Sequence, residues 1–222
     1  MNMALAILSR DVKTAFRSGG GWFYALFFFA VFTALAAIAF GPSLGALRAA
    51  APAAVWLAAA LAIQFAAADL FERDMNDGSL RVIAAEQGRL FPYWLAKSAL
   101  LALTAAAPLI LTAPFFLTML GVPFAQGIGA ALLLLIGAPA LFFIAVLTAA
   151  LSTGLRAGGL LAMIIAAPFA APVLVFGVTA TKAFFAGAAL FGPEALILGA
   201  LSLFMAAATP VFAIAALRVS LE

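Results

Sequence analysis

The sequence predicts an all-α, polytopic membrane protein, and three observations carry that class. Of 222 residues, 68% are hydrophobic and only 9% charged, far from the roughly one quarter charged that soluble domains carry. The apolar residues fall in six long runs, and those runs show no strand-like alternation. Lipid cannot hydrogen-bond to the backbone, so each run must satisfy its own amides, which a helix does.

The runs are 21–40, 51–68, 93–120, 128–151, 160–180 and 195–217, each close to the ~20 residues that cross a hydrocarbon core. They form one membrane-embedded domain over 1–222. The third run contains Pro108 and Pro114, which predict a kinked, tilted or broken helix. Between the fifth and sixth runs, Ala183–Phe191 is too short to span and reads either as a plain loop or as an interfacial or re-entrant segment.

Before the first run, residues 3–18 predict an amphipathic interfacial helix. Leu5, Leu8, Val12 and Phe16 share one narrow arc, and Arg10, Lys13 and Arg17 form a basic face suited to lipid headgroups. Basic residues also set orientation. With the N-terminus inside, nine of them (Arg10, Lys13, Arg17, Arg73, Arg81, Arg89, Lys97, Arg156 and Arg218) face the cytoplasm, against Arg48 and Lys182 outside. Both termini are therefore expected to be cytoplasmic, and a cleaved signal peptide is not expected.

The polar exception lies between the second and third runs. Leu70–Leu90 holds four of the eight acidic residues, and it falls within a cytoplasmic loop over 69–92. The second helix is expected to continue through Met75, with Asn76, Asp77 and Gly78 breaking it. Ser79 then caps a short helix from Leu80 to Gln87, ended by Gly88. Leu80, Ile83 and Ala84 share one side of it, a face suited to docking on a partner; an ordinary polar loop is the other reading.

Composition excludes several chemistries. The chain has no Cys and no His, which removes the commonest metal and haem ligands and the commonest general base. Aligning Gly78 with the glycine of a calcium loop puts Arg73 and Ala84 at ligand positions, so that match fails. Asp74, Asp77 and Gly78 open a phosphatidyltransferase-like pattern, but Phe91, Leu95 and Ala99 stand where its later positions need acids. No P-loop occurs, and no span carries a Ser–His pair or two buried aspartates for proteolysis. Gly154, Gly158 and Gly159, around Arg156, predict a tight turn before the fifth run, with close helix packing as the alternative. The span interiors hold little that titrates: Lys97 is expected to snorkel from a helix end, and Gln64 is the main polar group at depth. Energy for any transport must then come from another subunit.

Together, "SRDVKTAFRSGG", "LFERDMNDGSL", "LSTGLRAGGLL" and "FAIAALRVSLE", with six spans and both ends inside, resemble the haem exporter protein B family (CcmB) along the whole chain. That resemblance implies an ABC-2-type permease architecture, a non-catalytic membrane subunit and a role in cytochrome c maturation. It implies that 69–92 carries a coupling helix that docks on a separate, CcmA-like ATPase subunit holding the ATP, with Asp74, Asp77, Gly78, Ser79, Leu80 and Ile83 making up the coupling loop, its turn and the start of that helix. A CcmC-like haem-handling subunit, a CcmE-like haem chaperone and a second permease copy are the further partners, with no nucleic acid. Haem is handled by the complex, and no cofactor is expected on this chain. Tyr24, Met119, Met163 and Met205 could ligate haem, but read as core or interfacial residues. A permease for another cargo, or a non-transporting assembly scaffold, shares the same topology.

Overall fold

A computed structural model describes residues 3–17, 22–86, 88–154 and 158–221, and every regular element among them is helical. The chain order is α1 (Met3–Arg17), α2 (Trp22–Ala39), α3 (Leu44–Ala67), α4 (Glu72–Asn76), α5 (Ser79–Ala85), α6 (Leu90–Leu101), a π-helical segment (Ala102–Ala106), α7 (Ala107–Met119), α8 (Phe124–Ser152), α9 (Gly158–Phe185) and α10 (Pro193–Val219). By length and composition, five helical stretches among the described residues are able to cross a membrane. The sixth apolar helix, α2, is shorter; its 18 residues reach ~27 Å at ~1.5 Å per residue.

The helices overrun the apolar stretches because backbone bonding continues beyond the hydrocarbon. Thus α3 begins seven residues before the expected start, capped by Ser43, whose Oγ accepts from the Ala46 amide. The third span is one continuous helical run rather than a broken one. Its irregularity is the π-helical turn at Ala102–Ala106, just before Pro108, and Pro114 sits within α7. Residues 183–191 do not re-enter: α9 continues to Phe185, and a turn closed by Gly187 leads to Pro193 at the start of α10.

The helix α8 lies at the centre, packed against α3, α7, α9 and α10. Small residues permit close approach, as membrane packing requires. The Trp56 indole is held between Gly137 of α8 and Gly177 of α9. A Cβ on either glycine would lie 2.5 Å or 2.6 Å from the ring. Trp56 Nε1 donates to Thr181 Oγ1 at 2.9 Å, so the buried indole is also satisfied. Gln64 donates to Thr148 Oγ1 at 2.8 Å, and Ser202 to the Ile136 carbonyl at 2.6 Å, tying α3 and α10 to α8. Gly177→Val is expected to destabilise by ~1–3 kcal/mol through overpacking. Thermal unfolding in detergent reads this, and an unchanged midpoint would mean that Trp56 has room to move.

Candidate functional site

The polar loop folds as two short helices meeting at a sharp corner. α3 stops at Ala67, earlier than expected, and residues 68–71 turn before α4. The corner follows α4: Asp77 is exposed, and Gly78 adopts φ +78°, a left-handed value that glycine reaches without Cβ strain. Gly78, rather than Ser79, is the N-cap of α5, and the side chain of Asp77 supports the turn just before it. The Asp77 Oδ1 accepts from the Ser79 amide at 2.8 Å, and hydrogen bonding from the Ser79 side chain, then its amide, holds the Asp77 carboxyl below the usual carboxylate range. Ser79 is the first helical residue, and its hydroxyl reaches back to the Asp74 carbonyl at 3.4 Å. α5 ends at Ala85; Gln87, the expected end, lies outside the described residues.

The apolar face of α5 points inward, opposite to the docking face expected from its sequence. Leu80 is fully buried, and Ile83 and Ala84 pack against the core. The short helix needs that burial to hold its place, so its free edge is instead Arg81, Val82, Ala85 and Glu86. Beside that edge lies a cleft of about 720 Å³ whose lining includes Arg81, Glu86, Arg218 and Leu221.

Asp74 is also withdrawn from the surface, with a side chain only 2% exposed. Its Oδ1 accepts from Arg10 Nη2 at 3.1 Å. Its Oδ2 accepts from Tyr93 Oη at 2.8 Å and pairs with Lys97 Nζ at 2.6 Å. Lys97 also donates to Asp11 Oδ2 at 2.8 Å, and Asp11 Oδ1 accepts from Arg10 Nε at 2.8 Å. Two cations and two carboxylates thus close a neutral ring across α1, α4 and α6. Lys97 further stands 5.5 Å from the centre of the Tyr93 ring. Burying a charge near the membrane is tolerable only with such pairing.

This ring corrects two expectations. Lys97 does not snorkel; it is buried between the two aspartates. Arg10 belongs to the ring instead of a purely lipid-facing surface, while Lys13 remains exposed and the Arg17 side chain lies outside the described residues. Asp11 was not singled out by its sequence, although an acid among the basic residues of an amphipathic helix was the available signal. The ring borders a cavity of about 550 Å³, lined also by Asp69, Arg73, Tyr24 and Thr104.

A second tether joins α4 to the far end of α8. Glu72 Oε1 accepts from the Gly154 amide at 3.0 Å. Gly154 has φ +79°, so it makes the expected turn. Gly158 and Gly159 do not; they are the first two residues of α9, and Arg156 lies outside the described residues. The candidate haem ligands do not converge. Tyr24 is near the start of α2, and Met119 is at the opposite end of the bundle. Met205 is buried within α10, and the Met163 side chain lies outside the described residues. Among the described residues, no group of three or more acids stands together as a metal site.

The helical array, with its charge-linked loop between the second and third apolar stretches, defines a multi-pass membrane protein. The chain belongs to the CcmB protein family, whose family model matches residues 2–220. It is 37% identical to heme exporter protein B of Bradyrhizobium diazoefficiens over the whole of both chains. It is 37% identical to heme exporter protein B of Pseudomonas aeruginosa, covering 97% of this chain and 96% of that one. With heme exporter protein B of Escherichia coli K12 the identity is 32%, over 97% and 98% respectively.

Proposed function

We propose that this chain is the membrane subunit of an ABC haem exporter serving cytochrome c maturation, and that loop 69–92 transmits the work of a separate ATPase. The single observation that carries the reading is α4, a five-residue helix tethered on three sides. Asp74 joins it to α1 and α6, and Glu72 joins it to the turn after α8. A push on the exposed edge of α5 therefore reaches three helices at once through a stiff corner at Gly78. The family membership and the names of the relatives support haem as the cargo handled by the complex.

In this reading a CcmA-like subunit holds ATP and docks on Arg81, Val82, Ala85 and Glu86. A CcmC-like subunit and a CcmE-like chaperone hold the haem, and two copies of this chain pair with two ATPase subunits. Both termini face the cytoplasm, the side of the docking edge. ATP use releases the loaded chaperone, with this chain contributing the movement.

Val82→Asp tests the docking edge, because Val82 is 68% exposed and supports no internal packing face. Co-purification of the ATPase is expected to fall about tenfold, the equivalent of ~1.4 kcal/mol, with the amount of this chain in the membrane unchanged. Haem staining of a deletion strain complemented with each version reads the cargo. Wild type restores covalent c-type haem and Val82→Asp does not. If deletion left c-type haem intact, another cargo would replace haem.

A further inference from the structure

The end of the bundle opposite the docking loop carries Arg48 and Lys182, and the fold brings these two into one cleft of about 480 Å³. Arg48 comes from the second turn of α3 and Lys182 from the last turn of α9. Gln126 of α8 adds an amide, while Pro52, Val122 and Phe185 supply apolar lining. The cleft thus has an apolar wall and a polar, doubly cationic rim.

The cations are not placed there to pair with acids. Among the described residues, neither has a carboxylate within ion-pair distance, whereas Arg10, Arg89 and Lys97 all do. Arg48 is also pre-oriented. Its Nε donates to the Gly121 carbonyl at 2.6 Å, and Gly121 adopts φ +72° in the turn between α7 and α8. A Cβ there would lie 3.1 Å from Leu44 Cδ2 and 3.8 Å from Arg48 Cγ, so the glycine lets the arginine lie against the turn. With Nε committed, the terminal guanidinium nitrogens stay open to a second group. A planar guanidinium beside an ammonium suits a carboxylate or a phosphate, and the apolar wall suits the body of an amphipathic molecule.

We propose that this cleft binds the anionic head of an amphipathic molecule, either a carboxylate of a porphyrin or the phosphate of a lipid. The site stands independently of the docking edge, so loss of one reading leaves the other to be judged separately. The full chain in phosphatidylcholine nanodiscs is titrated with protoporphyrin IX, followed by fluorescence, and separately with short-chain phosphatidylglycerol, followed by native mass spectrometry. At least one anion is expected to bind. Lys182→Gln is expected to weaken it about tenfold and Lys182→Arg to restore it, because only the charge and donors change. Arg48→Gln has the same effect, and the porphyrin dimethyl ester, which lacks the carboxylates, binds without sensitivity to either substitution. Response of the porphyrin assigns a cargo contact, and response of phosphatidylglycerol assigns a lipid site. Binding of neither anion by wild type, or equal binding by wild type and both glutamine variants with unchanged unfolding midpoints, overturns the proposal.

Discussion

Lys97→Met is expected to destabilise the protein by ~3–5 kcal/mol and to release α1 from α6, because it leaves two carboxylates in a nearly dry site sharing the single, half-exposed cation of Arg10. Lys97 touches both aspartates from the buried side, and its side chain is 6% exposed. Arg10 touches both as well only from the solvent side, where 53% of its side chain remains exposed. Removing Arg10 therefore falls in the range of about 0–1 kcal/mol typical of exposed pairs. The contrast between the two substitutions identifies the inner pair as the strut. Lys97→Met combined with Asp74→Leu leaves Arg10 and Asp11 as a neutral pair, and most of the lost stability returns. Unfolding midpoints in detergent for wild type, Lys97→Met, Asp74→Leu and the double variant close the cycle. A Lys97→Met protein as stable as wild type would show that the ring carries no strain-bearing contact.

Gly78→Pro is expected to abolish ATPase association while leaving membrane insertion intact. Proline holds φ near −65°, and this corner requires φ +78°. The substitution also removes the Gly78 amide, which donates to the Met75 carbonyl at 3.3 Å. With the corner opened, Leu80 leaves its buried seat, and the free edge of α5 loses its direction relative to α4. Gly78→Ala separates backbone from bulk. A Cβ at this position meets nothing within 4 Å, so its effect is limited to left-handed strain of ~1–2 kcal/mol and association is reduced but not lost. Undiminished capture of the ATPase by the proline variant would remove loop 69–92 from the coupling pathway.

The two experiments probe different links in one chain of contacts. In the proposed reading, Gly78 sets how the docking edge is presented, and Lys97 sets whether its movement arrives at α1 and α6. A rigid edge with a broken ring is expected to bind the ATPase and fail to use it. That outcome distinguishes transmission from simple attachment.

The membrane class, the apolar helices, the break at Asn76–Gly78 and a tight turn at Gly154 were all legible along the chain. Each rests on local physics: lipid forces every apolar run to satisfy its own backbone, and glycine alone enters the left-handed region freely. The extents of the helices were less legible, since backbone bonding at Leu44–Ala50 or Thr181–Phe185 continues without help from hydropathy. What only the tertiary structure decided was the use of each polar residue. Asp74 looked like part of the coupling loop's turn and Lys97 like a snorkelling end group, and the fold makes each the other's partner. Leu80 looked like a contact for another protein and is instead the anchor of its own helix. Arg48 and Lys182 were merely the minority charges outside until α3 and α9 placed them in one cleft. Local sequence determines which backbone conformations are affordable, whereas a charge or an apolar side chain acquires its role from neighbours that are distant in sequence, and those neighbours exist only once the helices have packed.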